Sequence, residues 1–312
     1  MYPNYDKESG SGHYMRLVAL AQHLESNFDI FFIFKKLIPS NFSSKFIKIP
    51  ETLIQEDEIK FLKDKVTVND IFVLDGYRFD QNYQKKIKEM LQLKLVYIDD
   101  FGGLQSHADV IINHAPGVSK KQYQTKKHTK LYLGEQYLLL RKAFIDKLGK
   151  ESLKYRANTV FVCFGGTDEE NLTIRVTEHL LKLNKVNKII VVLGPNYILD
   201  NNFFSHEKIK LYKDISAIKM KNLMCSSSLI IVPSSTLALE ALCTGKPIIS
   251  FKTANNQRLI NIGLNQFDHV SCFNSFSLND KVINKLVSKN LNNQTKSAIP
   301  NVKDFNKIFK LI

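Results

Sequence analysis

The sequence predicts an α/β fold with two doubly wound parallel sheets, and three observations lead to this prediction. The chain has 312 residues, which is about twice the length of an average domain. Short runs rich in Ile, Val and Phe recur with little polar alternation, as is typical of strands covered on both faces in a parallel sheet. Segments with helical periodicity separate these runs, and such alternation indicates doubly wound, Rossmann-like domains.

The elements follow in chain order from these two patterns. The predicted strands are Asp29–Phe34, Asp70–Leu74, Leu95–Ile98, Val110–Asn113, Thr159–Phe164, Lys188–Leu193, Ile209–Tyr212, Leu229–Val232 and Ile248–Phe251. The predicted helices between and after them are Tyr14–Glu25, Asp80–Leu91, Glu170–Leu183, Ala217–Met224, Thr236–Cys243 and Asn279–Lys289.

The alternation pauses between Leu140 and Asn158, where Lys, Glu and Ser interrupt the apolar pattern. We therefore predict an N-terminal domain over residues 1–145 and a C-terminal domain over residues 155–312. Ligands of open α/β sheets bind beyond the carboxyl ends of the strands. Two such domains are expected to face each other across a cleft lined by those ends.

Charge and composition narrow the classes of partner. The 44 Lys and Arg residues exceed the 30 Asp and Glu residues, so the net charge is +14, which favours anionic partners. The basic residues are scattered without interleaved aromatic residues, which argues against a nucleic-acid partner. The 4 cysteines lack metal-ligand or redox spacing. With no signal-like start and no membrane-spanning apolar run, a cytoplasmic protein without stable membrane insertion is expected.

The first candidate site is the loop that contains Gly10 and Gly12, directly before a helix with an apolar stripe. Such a loop presents backbone N–H groups and the positive end of the helix dipole to an anion. His13 falls in the first turn, where the dipole disfavours the imidazolium form, and a neutral histidine is suited to general-base catalysis. The alternative is a histidine that only caps the helix or packs in the cleft.

A second glycine-rich turn, Gly165–Gly166, follows a predicted strand of the C-terminal domain. The glycines allow a ligand to approach the backbone closely. Thr167 and Glu170 have the spacing of a capping box, so a helix is expected to begin at this point. An ordinary strand-to-helix turn with a good cap explains these residues almost as well.

A third turn contains Ser234, Ser235 and Thr236, again between a strand and a helix. Its hydroxyl groups and free amides could hold a diphosphate. Glu240 lies one helical turn later on the same face, where its carboxylate could accept hydrogen bonds from two ribose hydroxyls. The alternative is a capped core helix with Glu240 in solvent.

Two further polar loops follow predicted strands. Asn256 and Gln257 come after the strand Ile248–Phe251, and their amides suit the recognition of sugar hydroxyls or acetamido groups. Asp75 and Tyr77 come after an early strand and are expected to face the same edge of the cleft. In both cases a polar turn without function is the alternative.

The ordered set of motifs resembles the UDP-2,4-diacetamido-2,4,6-trideoxy-β-L-altropyranose hydrolase family. The matching motifs are Gly-x-Gly-His-x-x-Arg at 10–16, Asp-x-Tyr at 75–77, Gly-Gly-x-Asp at 165–168, and Ser-Thr-x-x-x-Glu, Gly-x-Pro and Asn-Gln between 235 and 257. The resemblance implies a GT-B-like fold and a bacterial enzyme of pseudaminic acid biosynthesis. In the implied reaction, water attacks the anomeric carbon with inversion and UDP leaves, without a metal or organic cofactor.

The resemblance also implies roles for individual residues. His13 matches the catalytic histidine that activates water, and Tyr77 and Asn256 match residues beside the reacting sugar. Ser235, Thr236 and Glu240 match the region that binds diphosphate and ribose. The other motif residues expected to bind substrate are Gly10, Gly12, Arg16, Gly165, Gly166, Ser234 and Gln257.

Two departures from the family pattern affect these expectations. The residues from Tyr2 to Lys7 form a poor strand pattern where the family has a strand, so the expectation is a truncated start, a wrongly assigned start or a first sheet without its central strand. Pro233–Ser234 replaces a usual Gly-Gly pair, which restricts the approach of phosphates to the backbone.

A GT-B glycosyltransferase with a UDP-sugar donor, acting in cell-surface polysaccharide synthesis, is the alternative enzyme. A non-enzymatic binder of anions or nucleic acid is the alternative class.

Overall fold

The computed structural model divides the chain into two compact units. Unit 1 contains residues 1–139 and 302–312, and unit 2 contains residues 140–301. The residues described are 1–5, 11–36, 38–39, 43–103, 105–145, 157–166, 168, 170–194, 197, 204–274, 280–291 and 300–312. Residues 302–312 thus pack with unit 1, whereas the sequence analysis assigned them to the C-terminal domain.

Strands and helices alternate along both units, and each kind of element is numbered in chain order. The strands are β1 (Tyr2–Pro3), β2 (Phe32–Phe34), β3 (Phe46–Lys48), β4 (Ile71–Asp75), β5 (Lys94–Ile98), β6 (Val110–Asn113), β7 (Lys130–Leu133), β8 (Thr159–Val162), β9 (Lys188–Leu193), β10 (Ile209–Lys213), β11 (Leu229–Pro233), β12 (Ile248–Phe251) and β13 (Val270–Phe273). The helices are α1 (Gly12–Leu24), α2 (Gln55–Lys63), α3 (Gln81–Leu91), α4 (Lys142–Ile145), α5 (Leu172–Leu181), α6 (Ala217–Ser226), α7 (Thr236–Leu242), α8 (Arg258–Leu264), α9 (Asp280–Leu291) and α10 (Phe305–Phe309).

Unit 1 contains a parallel sheet in the order β1-β4-β5-β6-β7, and β2 pairs with β3 in parallel. On the other side of β1, the N–H of Ile33 donates to the carbonyl of Met1 at 2.8 Å. The chain therefore winds away from β1 in one direction through β2 and β3, and in the other through β4 to β7. The change of direction falls between β1 and β4, and ligands of such sheets bind at this switch point.

The expectation that the first sheet lacks its central strand is wrong. Tyr2 pairs with Leu74 and Pro3 pairs with Asp75, so the first residues form β1 beside β4. Long-range packing explains why a poor local pattern forms a strand: Tyr2 is buried, and its hydroxyl donates to Glu58 at 2.9 Å.

Unit 2 is built on six parallel strands in the order β10-β9-β8-β11-β12-β13. Its switch point lies between β8 and β11, where Leu229 pairs with Val160. The four central strands, β9, β8, β11 and β12, are buried on both faces, as their uninterrupted apolar sequence predicts. The loops that follow β8 and β11 are therefore neighbours at one edge of the sheet.

The predicted fold class is confirmed, because both sheets are parallel and each predicted strand and helix has a counterpart. The sequence analysis missed β1, β3, β7, β13, α2, α4, α8 and α10. Over the residues described, no helix combines the length and the hydropathy that a membrane crossing requires.

Candidate active site

The head of α1 lies at the switch point of unit 1 and places His13 beside the end of β4. Gly12 is the first residue of α1, and His13 follows it in the buried first turn, with 4% of its surface exposed. Its Nδ1 atom lies 2.7 Å from Oδ1 of Asp75, the fully buried last residue of β4. The glycine at position 10 lies outside the described residues.

Arg16 lies one turn later on the same face of α1 and joins two carboxylates. It donates to Asp75 from Nε at 3.0 Å and from Nη2 at 2.5 Å. It also donates to both oxygens of Asp100, which follows β5. Burial acts to raise the pKa of Asp100, but the charge and hydrogen bonds of Arg16 outweigh it and lower that pKa to about 2. Asp100 is therefore ionised at working pH.

The contact with Asp75 determines which ring nitrogen of His13 carries a proton. Nη2 of Arg16 has two hydrogens, and it lies 2.5 Å from Asp75, 3.1 Å from Asp100 and 2.8 Å from Nδ1 of His13, so three neighbours share them. A proton must separate Nδ1 from the carboxylate oxygen 2.7 Å away, so Nδ1 donates to Asp75. Nε2 is then the nitrogen that can accept a proton.

Tyr77 completes a group that we call the His13 cluster: His13, Arg16, Asp75, Tyr77 and Asp100. The Tyr77 hydroxyl donates to Oδ2 of Asp100 at 2.8 Å. Its ring meets the His13 ring edge-on, with 4.6 Å between the ring centroids. The cluster thus combines buried charges with one side chain, Tyr77, that is 43% exposed.

In unit 2, the Gly165–Gly166 turn follows β8 at the switch point. Gly165 has a φ of +89°, a left-handed conformation that favours glycine. A Cβ on Gly194, just after β9, would overlap the backbone of both glycines. The turn therefore packs backbone against backbone.

The helix after this turn is capped by Asp168. Its two carboxylate oxygens accept the N–H groups of Leu172 at 2.9 Å and Thr173 at 2.8 Å. Thr167, half of the predicted capping box, lies outside the described residues. Because a carboxylate already meets these first N–H groups of α5, they are not available to a phosphate.

The serine-threonine turn after β11 divides into a buried and a more accessible part. Ser234 is fully buried, and its N–H donates to the carbonyl of Phe251 at 2.8 Å. Its hydroxyl lies 2.8 Å from that of Ser250. Ser235 caps α7 by accepting the N–H of Leu237 at 3.3 Å, and Thr236 is the first residue of the helix. Ser235 and Thr236 are only partly buried, whereas the polar groups of Ser234 bond within the protein.

Glu240 is buried and forms a bidentate ion pair with Arg141. Nε and Nη2 of Arg141 each lie 2.6 Å from a carboxylate oxygen of Glu240. Burial raises the pKa of Glu240 against the opposing effect of Arg141. The alternative that places Glu240 in solvent is wrong, since only 2% of its surface is exposed.

Asn256 and Gln257 lie in a short 3₁₀ helix, Asn255–Gln257, after β12. The Gln257 side chain closes its own loop, because its Oε1 accepts the N–H of Thr253 at 2.8 Å. Asn256 is partly buried. In the part of the chain that the structure describes, no three His, Cys, Asp or Glu side chains are arranged to hold a metal ion.

The structure thus brings together His13, Arg16 and Tyr77 in unit 1. In unit 2 it places the predicted residues after three neighbouring strands, β8, β11 and β12. The sequence analysis placed Asp75 at the edge of the cleft without pairing it with His13, and it did not name Asp100 or Arg141 as site residues. A usable signal existed for Asp100, which comes two residues after the apolar strand β5, but Arg141 has no comparable local signal.

Comparison with known proteins gives distant relatives, and no known protein-family profile matches the chain. It is 31% identical over 266 residues to an uncharacterized protein of Methanocaldococcus jannaschii, covering 78% of this chain and 53% of that protein. It is 24% identical over 258 residues to the spore coat polysaccharide biosynthesis protein SpsG of Bacillus subtilis, covering 80% and 76%. It is 27% identical over 176 residues to the UDP-2,4-diacetamido-2,4,6-trideoxy-β-L-altropyranose hydrolase of Campylobacter jejuni, covering 55% and 62%. The chain therefore spans about half the length of the first of these relatives.

Solved structures agree on the fold. LpCGTa in complex with UDP matches with a TM-score of 0.65 at 12% identity, covering 94% of this chain and 90% of that one. MurG of Acinetobacter baumannii matches with a TM-score of 0.58 at 12% identity, covering 91% and 89%. The UDP-GlcNAc 2-epimerase of Methanocaldococcus jannaschii, solved with UDP-GlcNAc and UDP, matches with a TM-score of 0.58 at 14% identity, covering 95% of each chain. The chain has a GT-B-like fold and is a distant homologue of SpsG and the hydrolase.

Proposed function

We propose that this protein is an enzyme that acts on UDP-sugars, and specifically a hydrolase that releases UDP from UDP-2,4-diacetamido-2,4,6-trideoxy-β-L-altropyranose. The observation that carries the proposal is the His13–Asp75 pair at the switch point of unit 1, at 2.7 Å. The distant relationship to a hydrolase of this name supports it, as do neighbours solved with UDP. On this proposal the reaction serves nonulosonic acid synthesis in the cytoplasm, without a nucleic-acid partner.

The chemistry begins at Nε2 of His13. With Nδ1 donating to Asp75, Nε2 takes a proton from water, and the carboxylate stabilises the imidazolium that forms. The water oxygen forms a bond to the anomeric carbon while the bond from that carbon to the UDP oxygen breaks. The electron pair of the broken bond leaves with UDP, and the configuration at the carbon inverts. Arg16 keeps the carboxylate of Asp75 in place.

The remaining roles divide between the two units. We assign UDP binding to unit 2, with Ser235 and Thr236 at the diphosphate and Glu240 at the ribose. Arg141 fixes the rotamer of Glu240 through two hydrogen bonds of 2.6 Å, and the carboxylate oxygens keep further lone pairs for ribose hydroxyls. Tyr77 and Asn256 act on the sugar.

The test is to incubate the purified chain with a panel of UDP-diacetamido-sugars and no acceptor. We expect NMR to show the release of free UDP and of a sugar with inverted anomeric configuration. Absence of UDP release from every sugar in the panel would contradict the proposal.

A GT-B glycosyltransferase is the second candidate, because the relative SpsG is named for polysaccharide biosynthesis. A transferase needs the same nucleotide site and a base that deprotonates an acceptor hydroxyl rather than water. UDP release that appears only after a sugar or lipid-linked acceptor is added would favour it over the hydrolase.

A further inference from the structure

Two exposed aromatic side chains form a pair at the edge of the His13 cluster. Tyr77 is 43% exposed and Phe101 is 39% exposed, and their ring centroids are 5.2 Å apart. Phe101 directly follows Asp100, which bonds to both Arg16 and Tyr77. The sequence motifs do not include Phe101, yet it lies next to the residues assigned to catalysis.

The Phe101 ring is presented on an anchored turn. The N–H groups of Phe101 and Gly102 donate to Asp99 at 3.2 and 2.8 Å. Asp99 in turn accepts the hydroxyl proton of Tyr123 at 2.6 Å. Gly102 has a φ of +70°, which allows the tight turn. Because the turn is fixed before any ligand arrives, a contact with the ring costs little ordering entropy.

The hydroxyl of Tyr77 restricts what the pair can recognise. A phenol has one proton, and that of Tyr77 goes to the ionised carboxylate of Asp100 at 2.8 Å. Towards a ligand the phenol oxygen can therefore only accept a hydrogen bond. A fitting group supplies an N–H or O–H donor together with an apolar part that covers the two rings. A sugar hydroxyl has only the donor, whereas an acetamido group has both an N–H and a methyl group.

We propose that Tyr77 and Phe101 form a subsite for one acetamido group of the sugar, in which the Tyr77 oxygen accepts the amide N–H and the two rings contact the methyl group. The inference rests on the proposed function and deepens it, because it names the substituent that this part of unit 1 selects. Phe101 thereby becomes a specificity residue.

The experiment compares three sugar nucleotides: the UDP-diacetamido-trideoxy sugar and two analogues, each with a hydroxyl in place of one acetamido group. For the wild-type protein, kcat/KM falls at least about tenfold with one of the two analogues, since one lost apolar group in a pocket is worth about that factor. Phe101→Ala lowers kcat/KM about tenfold for the diacetamido sugar and leaves that analogue nearly unaffected. Val68→Ala is the matched control, because Val68 is also exposed but precedes β4, at the opposite edge of the sheet.

Two results would overturn the subsite. One is a Phe101→Ala variant that loses the same factor of kcat/KM with all three sugars, and the other is a variant that loses nothing. If the wild type releases no UDP from any sugar, the proposed function fails, and calorimetric affinities for the same three compounds then test the subsite alone. The subsite is supported if the wild type binds the diacetamido compound more tightly than one of the analogues and Phe101→Ala abolishes that difference. Equal affinities of the wild type for all three compounds refute it.

Discussion

The two sheets have the same kind of switch point but surround it with different chemistry. In unit 1 it carries buried charges: His13 and Arg16 on α1 contact the carboxylates of Asp75 and Asp100. In unit 2 the switch point has a glycine turn and hydroxyl groups, and one ion pair, at Glu240, is buried behind them in α7. Moving a proton requires titratable groups held in one geometry, whereas holding a nucleotide requires exposed donors and close approach. On the proposed assignment, the difference teaches that one topology can serve two tasks through the side chains at strand ends.

Replacement of His13 tests this division most severely. We expect His13→Asn to lower kcat about 10²–10⁴-fold, because the proton acceptor for water is lost. The affinity for UDP, measured by calorimetry, should stay within about twofold, since UDP binding is assigned to unit 2.

A structural role for His13 predicts the opposite pattern, in which the variant melts at a lower temperature but keeps its turnover. Measuring kcat per folded molecule separates the two. Near-normal kcat in a folded His13→Asn protein would mean that His13 of unit 1 does not take part in the reaction.

A buried, neutral histidine should also make unit 1 sensitive to acid. Burial and the positive charge of Arg16 lower the pKa of His114, directly after β6, from 6.5 to about 4. Between these pH values the unfolded chain binds a proton at this position and the folded chain does not. Stability is therefore lost as pH falls from about 6.5 to about 4, by about 3 kcal/mol in total.

Urea unfolding at a series of pH values measures this loss. In His114→Gln, the free energy of unfolding should fall less than in the wild type as the pH is lowered from 7. This difference should be visible even if the variant is less stable at every pH. An unchanged slope in the variant would show that other groups cause the acid sensitivity.

Replacement of Glu240 tests the other half of the comparison. Glu240→Ala should weaken UDP binding by about 1.5–3 kcal/mol, because the ribose hydroxyls lose a charged acceptor. At saturating substrate, kcat should change much less. Calorimetry with UDP and steady-state kinetics give the two quantities.

Arg141→Met is the matched control, because it also breaks the ion pair but keeps the carboxylate. Equal losses of UDP affinity in the two variants would mean that the ion pair shapes the loop and that Glu240 does not contact ribose. Melting temperatures of both variants check for the cost of an unpaired buried charge.

The smallest expected effects concern the sugar. Tyr77→Phe and Asn256→Ala should each lower kcat about tenfold, roughly the value of one lost hydrogen bond to the sugar. Their affinity for UDP alone should remain within about twofold. An equal loss of UDP affinity in both variants would mean that Tyr77 and Asn256 contact the nucleotide rather than the sugar.

Sequence patterns predicted the long buried strands well, because their apolar runs leave few alternatives. Some of the short strands could not be predicted in the same way. β7 carries Lys130 and lies in a lysine-rich stretch that is typical of a surface, yet its residues pair with β6. β1 has two residues and depends on contacts of Tyr2 with α2, more than fifty positions away in the chain.

The candidate site shows the same limit. His13 and Tyr77 could be found because each belongs to a local motif at the end of a strand or the start of a helix. The contact from Arg141 to Glu240 spans 99 residues, and no local pattern encodes it. Ser234 illustrates the converse, since a residue of the turn that was expected to bind a diphosphate bonds inside the core.

The position of α10 has a consequence for the order in which the protein is made. Phe305, Ile308 and Phe309 of α10 are buried in one cluster with Leu20 and Leu24 of α1, the helix that carries His13. Residues 140–301 are therefore an insertion between the two parts of unit 1. On the ribosome, all of unit 2 is synthesised before the residues that cover α1, so α1 keeps an uncovered apolar flank until residues 302–312 have been made. The unit to which we assign the chemistry is therefore completed after unit 2.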